Sequence, residues 1–167
     1  KGYLVSVIDL FIYREDTIDD HKNYKKIKGD IRDYKFLKEH IKNHDIIIHL
    51  ACISNDPSFE LNPSLGKSIN FDSFEPIVNL SKKNNVKKFI FASSSSVYGV
   101  KEKNNVTEKE STHPITDYSK FKLMCENILL SYKSENFCPL IIRPATVCGY
   151  SRRQRLDLIV IIFSNFV

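Results

Sequence analysis

Tyr118 and Lys122, in the run Tyr118-Ser119-Lys120-Phe121-Lys122, are a phenol and an ammonium at a spacing that suits proton transfer. On a helix, positions i and i+4 share a face, so the two groups would sit side by side. A free tyrosine ionises near pH 10, too high for a base at neutral pH. A cation within about 4–6 Å favours the phenolate and lowers that value. Such a pair can take a proton from a hydroxyl as hydride leaves the carbon that bears it. The same spacing also arises by chance in lysine-rich helices, as an ordinary exposed pair. Upstream, Phe91-Ala92-Ser93-Ser94-Ser95-Ser96-Val97-Tyr98-Gly99 sets four serines after an apolar segment. A hydroxyl there would hydrogen-bond a reacting oxygen beside the phenol; the plainer alternative is a serine-rich turn. Four serines after a strand, then a polar loop, then Tyr-x-x-x-Lys on a helix, is much rarer than either part.

The elements that must position these groups alternate along the chain. Residues 3–9 (YLVSVID) read as a strand and 24–29 as a weaker one. Residues 32–44 carry Phe36, Leu37 and Ile41 on one helical face. Residues 45–51 (DIIIHLA) are almost continuously apolar, which predicts a parallel strand buried on both faces. Residues 63–84 read as a long helix with Ile69, Phe74, Ile77, Val78 and Leu80 inward; Pro76 must kink it or mark its true start. Residues 86–93 are the next strand, and a polar loop spans roughly 101–114. The pattern over 117–134 predicts a helix that buries Phe121, Met124, Cys125, Ile128 and Leu129. Residues 137–143 read as a buried strand and 155–167 as an apolar helix. This rhythm predicts an α/β domain with a doubly wound parallel sheet covered on both faces. Sites in such sheets lie at the carboxyl ends of the strands.

Composition narrows the function. The chain has 167 residues, 42% apolar and 27% charged, an ordinary globular balance. Its net charge of +5 comes from scattered lysines without a basic, aromatic stripe, which argues against nucleic-acid binding. No stretch approaches the ~20 apolar residues of a membrane helix, and no secretory leader is visible. Cys52, Cys125, Cys138 and Cys148 form no framework spacing, so a reduced, cytoplasmic protein is expected. No metal site is expected either: His40 and His44 close a helix whose C-terminal end favours cations.

The segments Val7-Ile8-Asp9, Gly29-Asp30-Ile31-Arg32-Asp33, Ile48-His49-Leu50-Ala51, Ser68-Ile69-Asn70, Phe91 to Gly99, Tyr118 to Lys122 and Arg143 to Gly149 follow one another in order. In this the chain resembles the extended short-chain dehydrogenase/reductase family, in its NAD-dependent nucleotide-sugar epimerase and dehydratase branch, and it is similar to UDP-glucose 4-epimerases. The resemblance implies a Rossmann-like fold, NAD as cofactor and a nucleotide-diphosphate sugar as substrate. It implies that Asp9 holds the adenosine ribose, favouring NAD because a carboxylate repels a 2′-phosphate. Asp30 and Ile31 would flank the adenine. Leu50, Ala51 and Cys52 would line the pyrophosphate and ribose path with Asn70 nearby, and Pro144 would border the nicotinamide. Ser94 would hydrogen-bond the sugar oxygen, Tyr118 would be the base and would also contact the cofactor, and Lys122 would hold the nicotinamide ribose and tune Tyr118. Thr146 and Arg155 would face the substrate. Plainer alternatives stand beside these: Asn70 as a helix-surface residue, Cys52 as a core filler, and the arginines of 152–155 as an exposed cationic loop.

The chain departs from the family in two ways. Its glycines fall at 2, 29, 66, 99 and 149, so the family's first strand and glycine-rich pyrophosphate loop have no counterpart here. The expectation is an internal fragment, with 1–150 as a partial NAD-binding domain and 151–167 as the start of a substrate-binding region. The second departure is at Ser95 and Ser96, where the 4,6-dehydratases carry an acidic pair; this argues for C4-type epimerisation over dehydration. The alternatives are an NAD(P)-dependent nucleotide-sugar reductase or dehydrogenase, or a non-catalytic dinucleotide-binding remnant. Family resemblance also implies a possible homodimer through the helices of 63–84 and 117–134.

Overall fold

Val5, Val7 and Ile8 are β-branched residues that favour an extended, pleated backbone. The computed structural model, which describes residues 2–54, 56–102, 105–147, 149 and 151–152, places them in β1 (Val5–Asp9). The chain divides into two units: Lys1–Asp30 with Thr146–Val167, and Ile31–Ala145.

In the first unit, β1 pairs in parallel with β2 (Tyr24–Lys28), Val5 opposite Tyr24 and Asp9 opposite Lys28. The chain turns sharply after β1. The Phe11 backbone N–H donates to Asp9 Oδ1 at 2.6 Å, and Phe11 adopts a positive φ of 49°. The Gly29 N–H donates to the Asp9 carbonyl at 3.0 Å, which carries the pairing one residue past β2. Arg152 donates to the Asp16 carbonyl at 2.8 Å and pairs with Asp19 at 2.5 Å.

In the second unit, Asp33 starts α1 (Tyr34–His40) by accepting the Lys35 and Phe36 N–H groups on Oδ1, at 2.9 and 3.0 Å. Three parallel strands follow in the order β3 (Ile46–His49), β4 (Lys88–Ala92), β5 (Cys138–Ile142). Their register aligns Ile47, Phe89 and Pro139 in one row and His49, Phe91 and Ile141 in another. Between β3 and β4 lie α2 (Asp56–Glu60), α3 (Pro63–Lys67), one turn of π-helix (Ser68–Asp72) and α4 (Phe74–Lys83). Between β4 and β5 come a 3-10 turn (Ser95–Tyr98) and α5 (Asp117–Ser131). Leu37 and Ile41, then Phe74, Ile77, Val78 and Leu80 of α4, and Cys125 and Leu129 of α5 pack with Phe89, Phe91 and Phe137 into one core. Each such side chain, fully buried, stabilises the fold by roughly 1.5–3 kcal/mol.

The alternating β/α order and the parallel pairing agree with the sequence reading, and several details differ. β3 is not buried on both faces: Ile47 and His49 point into the core, whereas Ile46, Ile48 and Leu50 are 44%, 60% and 67% exposed. Leu140 and Ile142 of β5 are exposed in the same way, because the helices of the core pack on the Phe89–Phe91 face. The long helix over 63–84 is three pieces. Pro76 falls in the first turn of α4, where its missing N–H costs little, so it does mark a true start. On α5, Met124 faces outward at 43% exposure, and the inward positions next to Cys125 belong to Lys122 and Glu126. Helix α2 has no counterpart in the sequence reading. The apolar helix expected over 155–167 lies outside the described residues.

Candidate functional site

Helix α5 begins at Thr116, whose hydroxyl accepts the Ser119 N–H while the Ser119 hydroxyl accepts the Thr116 N–H, a reciprocal capping box. That start sets Tyr118 and Lys122 one turn apart on the buried side, 9% and 4% exposed. The Lys122 ammonium lies 5.7 Å from the centre of the Tyr118 ring and 4.8 Å from that of Phe91. It donates to the Ala92 carbonyl at 2.7 Å, at the carboxyl end of β4. A buried ammonium is costly unless it is bonded, and here a carbonyl and two π-faces receive it. Ser94, two residues further on, caps the 3-10 turn: its Oγ accepts from the Ser96 N–H at 3.1 Å and from the Ser96 hydroxyl at 2.8 Å. The turn packs against α5. Two adjoining cavities open here, both lined by Asp56 and Thr116. The one of about 60 Å³ is bordered by Tyr118 and the one of about 190 Å³ by Ser96 and Gly99. Behind Tyr118 stands the Phe59 ring, 6.4 Å away edge-on, which packs so closely on Gly66 that a Cβ there would come within 2.5 Å of it.

The loop after β3 carries Leu50, Ala51 and Cys52, and it is fixed by Asn70 in the π-turn. The Asn70 side chain accepts the Ile53 N–H at 2.8 Å and donates to the Ile53 carbonyl at 2.9 Å. Asn70 is 5% exposed, so it is not a helix-surface residue; π-turns recur at such sites. Leu50 is largely exposed, and Ala51 and Cys52 are half-buried. Ile31 packs against the core, and the Pro144 carbonyl accepts the Ser95 N–H at 2.9 Å. The Cys125 S–H donates to the Asn70 carbonyl at 3.3 Å, and burial pushes that thiol up to about 12. The second unit thus carries Ile31, Leu50, Ala51, Cys52, Asn70, Ser94, Tyr118, Lys122 and Pro144. The first carries Asp9, Asp30 and Thr146. Arg155 lies outside the described residues. Among those residues no group of three His, Cys, Asp or Glu side chains is placed to hold a metal ion, and no helix is long and apolar enough to cross a membrane.

The sequence profile of the NAD dependent epimerase/dehydratase family matches residues 1–163. The chain belongs to this family. Among curated relatives, an uncharacterized UDP-glucose epimerase of Bacillus subtilis is 31% identical over 171 residues, covering 95% of this chain and 52% of its own length. The D-erythronate dehydrogenase of Haemophilus influenzae is 32% identical over 106 residues, covering 62% of this chain and 33% of its own. Among solved structures, the UDP-N-acetylglucosamine 4-epimerase of Methanobrevibacter ruminantium, in complex with UDP-N-acetylmuramic acid, matches with a TM-score of 0.77 and 29% identity. That match covers 84% of this chain and 46% of the other. The chain therefore spans about a third to a half of the length of these relatives.

In this member of the epimerase/dehydratase family, further buried polar groups surround Lys122, and the sequence reading did not single them out. Glu126, one turn along α5 and 1% exposed, accepts from the Ser93 hydroxyl at 2.5 Å and from the Arg143 guanidinium. Hydrogen bonds donated to Glu126 hold the Arg143 pKa above its ordinary value. His49 sits among Phe74, Phe89 and Phe91, with ring centres 5.3–6.1 Å away. Burial, with a smaller contribution from the Lys122 charge, pulls the His49 imidazole down to about 3. A folded-state value below the unfolded one means stability that is complete above pH 6.5 and is lost as pH falls, because only the unfolded chain takes up the proton. Unfolding free energy is expected to drop by about 2 kcal/mol between pH 7 and pH 5 from this residue. Denaturant titrations of His49→Phe should show that part of the slope gone; an unchanged slope would exclude His49 as its source.

Proposed function

We propose that the complete protein is a nucleotide-sugar epimerase that inverts a sugar carbon, C4 in type, by transient oxidation. The observation that carries this is Lys122, held at the end of β4 with its ammonium against the Tyr118 ring, beside the hydroxyl-rich turn of Ser94. A cation in that place favours the phenolate, so Tyr118 takes the proton from the sugar hydroxyl and later returns it. Ser94 hydrogen-bonds the same oxygen. NAD, when bound, would supply the hydride-transfer chemistry for this oxidation and the re-reduction that follows. The residues present fit such a cofactor. Asp9 ends β1 with one carboxylate oxygen fixed by the Phe11 N–H, an acid in place for ribose hydroxyls. The loop of Leu50, Ala51 and Cys52 is anchored at Ile53 by Asn70, which gives a ligand a fixed backbone to meet. Lys122 uses one of its three donors on Ala92 and brings the others to a ribose. Asp30 and Ile31 at the adenine, Pro144 at the nicotinamide, and Thr146 and Arg155 toward the sugar complete the assignment. A nucleotide-diphosphate sugar fits this reading because the Bacillus subtilis relative and the Methanobrevibacter ruminantium structure are named for that class, and the latter binds UDP-N-acetylmuramic acid.

In the same reading, 1–150 is the cofactor-binding portion and 151–167 begins the substrate-binding region. The helices over 63–84 and 117–134 form a dimer contact; Leu65, Met124 and Leu130 are exposed large apolar residues on them. Net oxidation or reduction is the competing reaction, favoured by the likeness to the D-erythronate dehydrogenase. Incubating the complete protein with UDP-hexoses and a catalytic amount of NAD separates the two. Interconversion of C4 epimers without net cofactor reduction is the expected result, and stoichiometric cofactor turnover would establish a dehydrogenase instead.

A further inference from the structure

The ion pair between Glu126 and Arg143 touches none of the groups assigned to the reaction, yet it reaches the strand end that carries them. Helix α5 is tied to the end of β4 at two successive residues. Lys122 donates to the Ala92 carbonyl at 2.7 Å, and one turn further along the helix Glu126 accepts from the Ser93 hydroxyl at 2.5 Å. Arg143, just past β5, holds the Glu126 carboxylate through Nε at 2.9 and 3.2 Å and through Nη2 at 2.6 Å, a fork that fixes the plane of the carboxylate. Its Nη1 donates to the Tyr98 hydroxyl at 2.9 Å, and the guanidinium lies 4.9 Å from the centre of that ring. The ion pair therefore holds both ends of the segment from Ser93 to Tyr98, Ser93 through Glu126 and Tyr98 through Arg143, with Ser94 between them. The backbone agrees: the Ser93 N–H donates to the Ile142 carbonyl and the Ser95 N–H to the Pro144 carbonyl, on either side of Arg143.

We propose that Glu126 and Arg143 are positioning residues whose part-buried pair clamps this turn to α5 and so sets the Ser94 hydroxyl against Tyr118 and Lys122. The inference rests on the reading of those three as the reacting set. A buried ion pair adds little stability over apolar side chains of the same volume. What it adds here is a fixed orientation, and misplacement of a reacting group by about 1 Å can cost on the order of 100-fold in rate.

The test compares three variants of the complete protein: Ser93→Ala, the double change Glu126→Gln with Arg143→Met, and Tyr118→Phe. Each is measured for kcat and KM with the nucleotide sugar that the wild type turns over, for NAD affinity and for Tm. Ser93→Ala removes one hydrogen bond and leaves the ion pair, so kcat should fall about tenfold with NAD affinity and KM unchanged and Tm within about 2 °C. The double change removes both charges together, so Tm stays near the wild-type value while kcat falls about 100-fold. A purely structural role would let kcat follow Tm. The proposal is overturned if Tyr118→Phe is inactive while Ser93→Ala and the double variant keep wild-type kcat. If Tyr118→Phe itself retains turnover, the reacting set is wrongly assigned and the clamp falls with it.

Discussion

Replacing Tyr118 by phenylalanine should lower turnover of a nucleotide sugar by the complete protein roughly a thousandfold, the order of effect expected on losing a general base. The change removes one oxygen and keeps the ring. That ring is 9% exposed and packs against Phe59, so the helix start and the neighbouring cavity keep their shape. Lys122 retains its bond to the Ala92 carbonyl and its place over Phe91, so the groups assigned to ribose binding are untouched. NAD affinity should accordingly stay within about fivefold of wild type, since one lost hydrogen bond is worth about 1 kcal/mol. Steady-state rates and cofactor titration on the same preparation separate the two. Turnover within tenfold of wild type would place the base elsewhere and remove the chemical role given to the Tyr118–Lys122 pair.

What the sequence disclosed and what it hid follow from how each group finds its partner. The parallel strands and the helices between them were legible because apolar periodicity is local. Tyr118 and Lys122 were legible because their relation is a helix spacing. The clamp was not, since Glu126 meets Arg143 across 17 residues and Lys122 meets Ala92 across 30. A reading that counts apolar side chains as inward turns Met124 to the core. It passes over Glu126; the structure exposes Met124 and buries Glu126. The signal that was present is that Lys122, Cys125, Glu126 and Leu129 fall at i, i+3, i+4 and i+7, a single helical stripe. The exposed face of β3 was hidden for a related reason. Ile46, Ile47 and Ile48 look alike in sequence, and which of them is covered depends on the elements that pack there. Helix α2 was missed through its five-residue length, although Asp56-Pro57 is a recognisable helix start.

Gly99→Ala should cost about 3–5 kcal/mol of stability, a loss in the range where a specific steric cause is required. Gly99 ends the Ser-Ser-Val-Tyr-Gly run and has φ 69°, ψ −154°, a conformation essentially restricted to glycine. A Cβ built there would stand 2.2 Å from the His113 carbonyl oxygen, which is backbone and cannot swing aside like a side chain. The segment at His113 cannot retreat freely either, because the His113 N–H donates to the Val97 carbonyl at 3.0 Å. Relief therefore means breaking that bond or pulling the 3-10 turn away from α5, and either displaces the cap made by Ser94. In thermal unfolding the expected loss is about 10 °C, with Val100→Ala, at an 84% exposed neighbour, serving as a control that should change little. The residual folded enzyme should also be slow, because the strain is released into the segment that holds Ser94. A Tm within about 2 °C of wild type would mean that the His113 carbonyl does not close on Gly99. Neither the clash nor the backbone conformation would then require glycine at this position, and His113 would have no part in holding the serines in place.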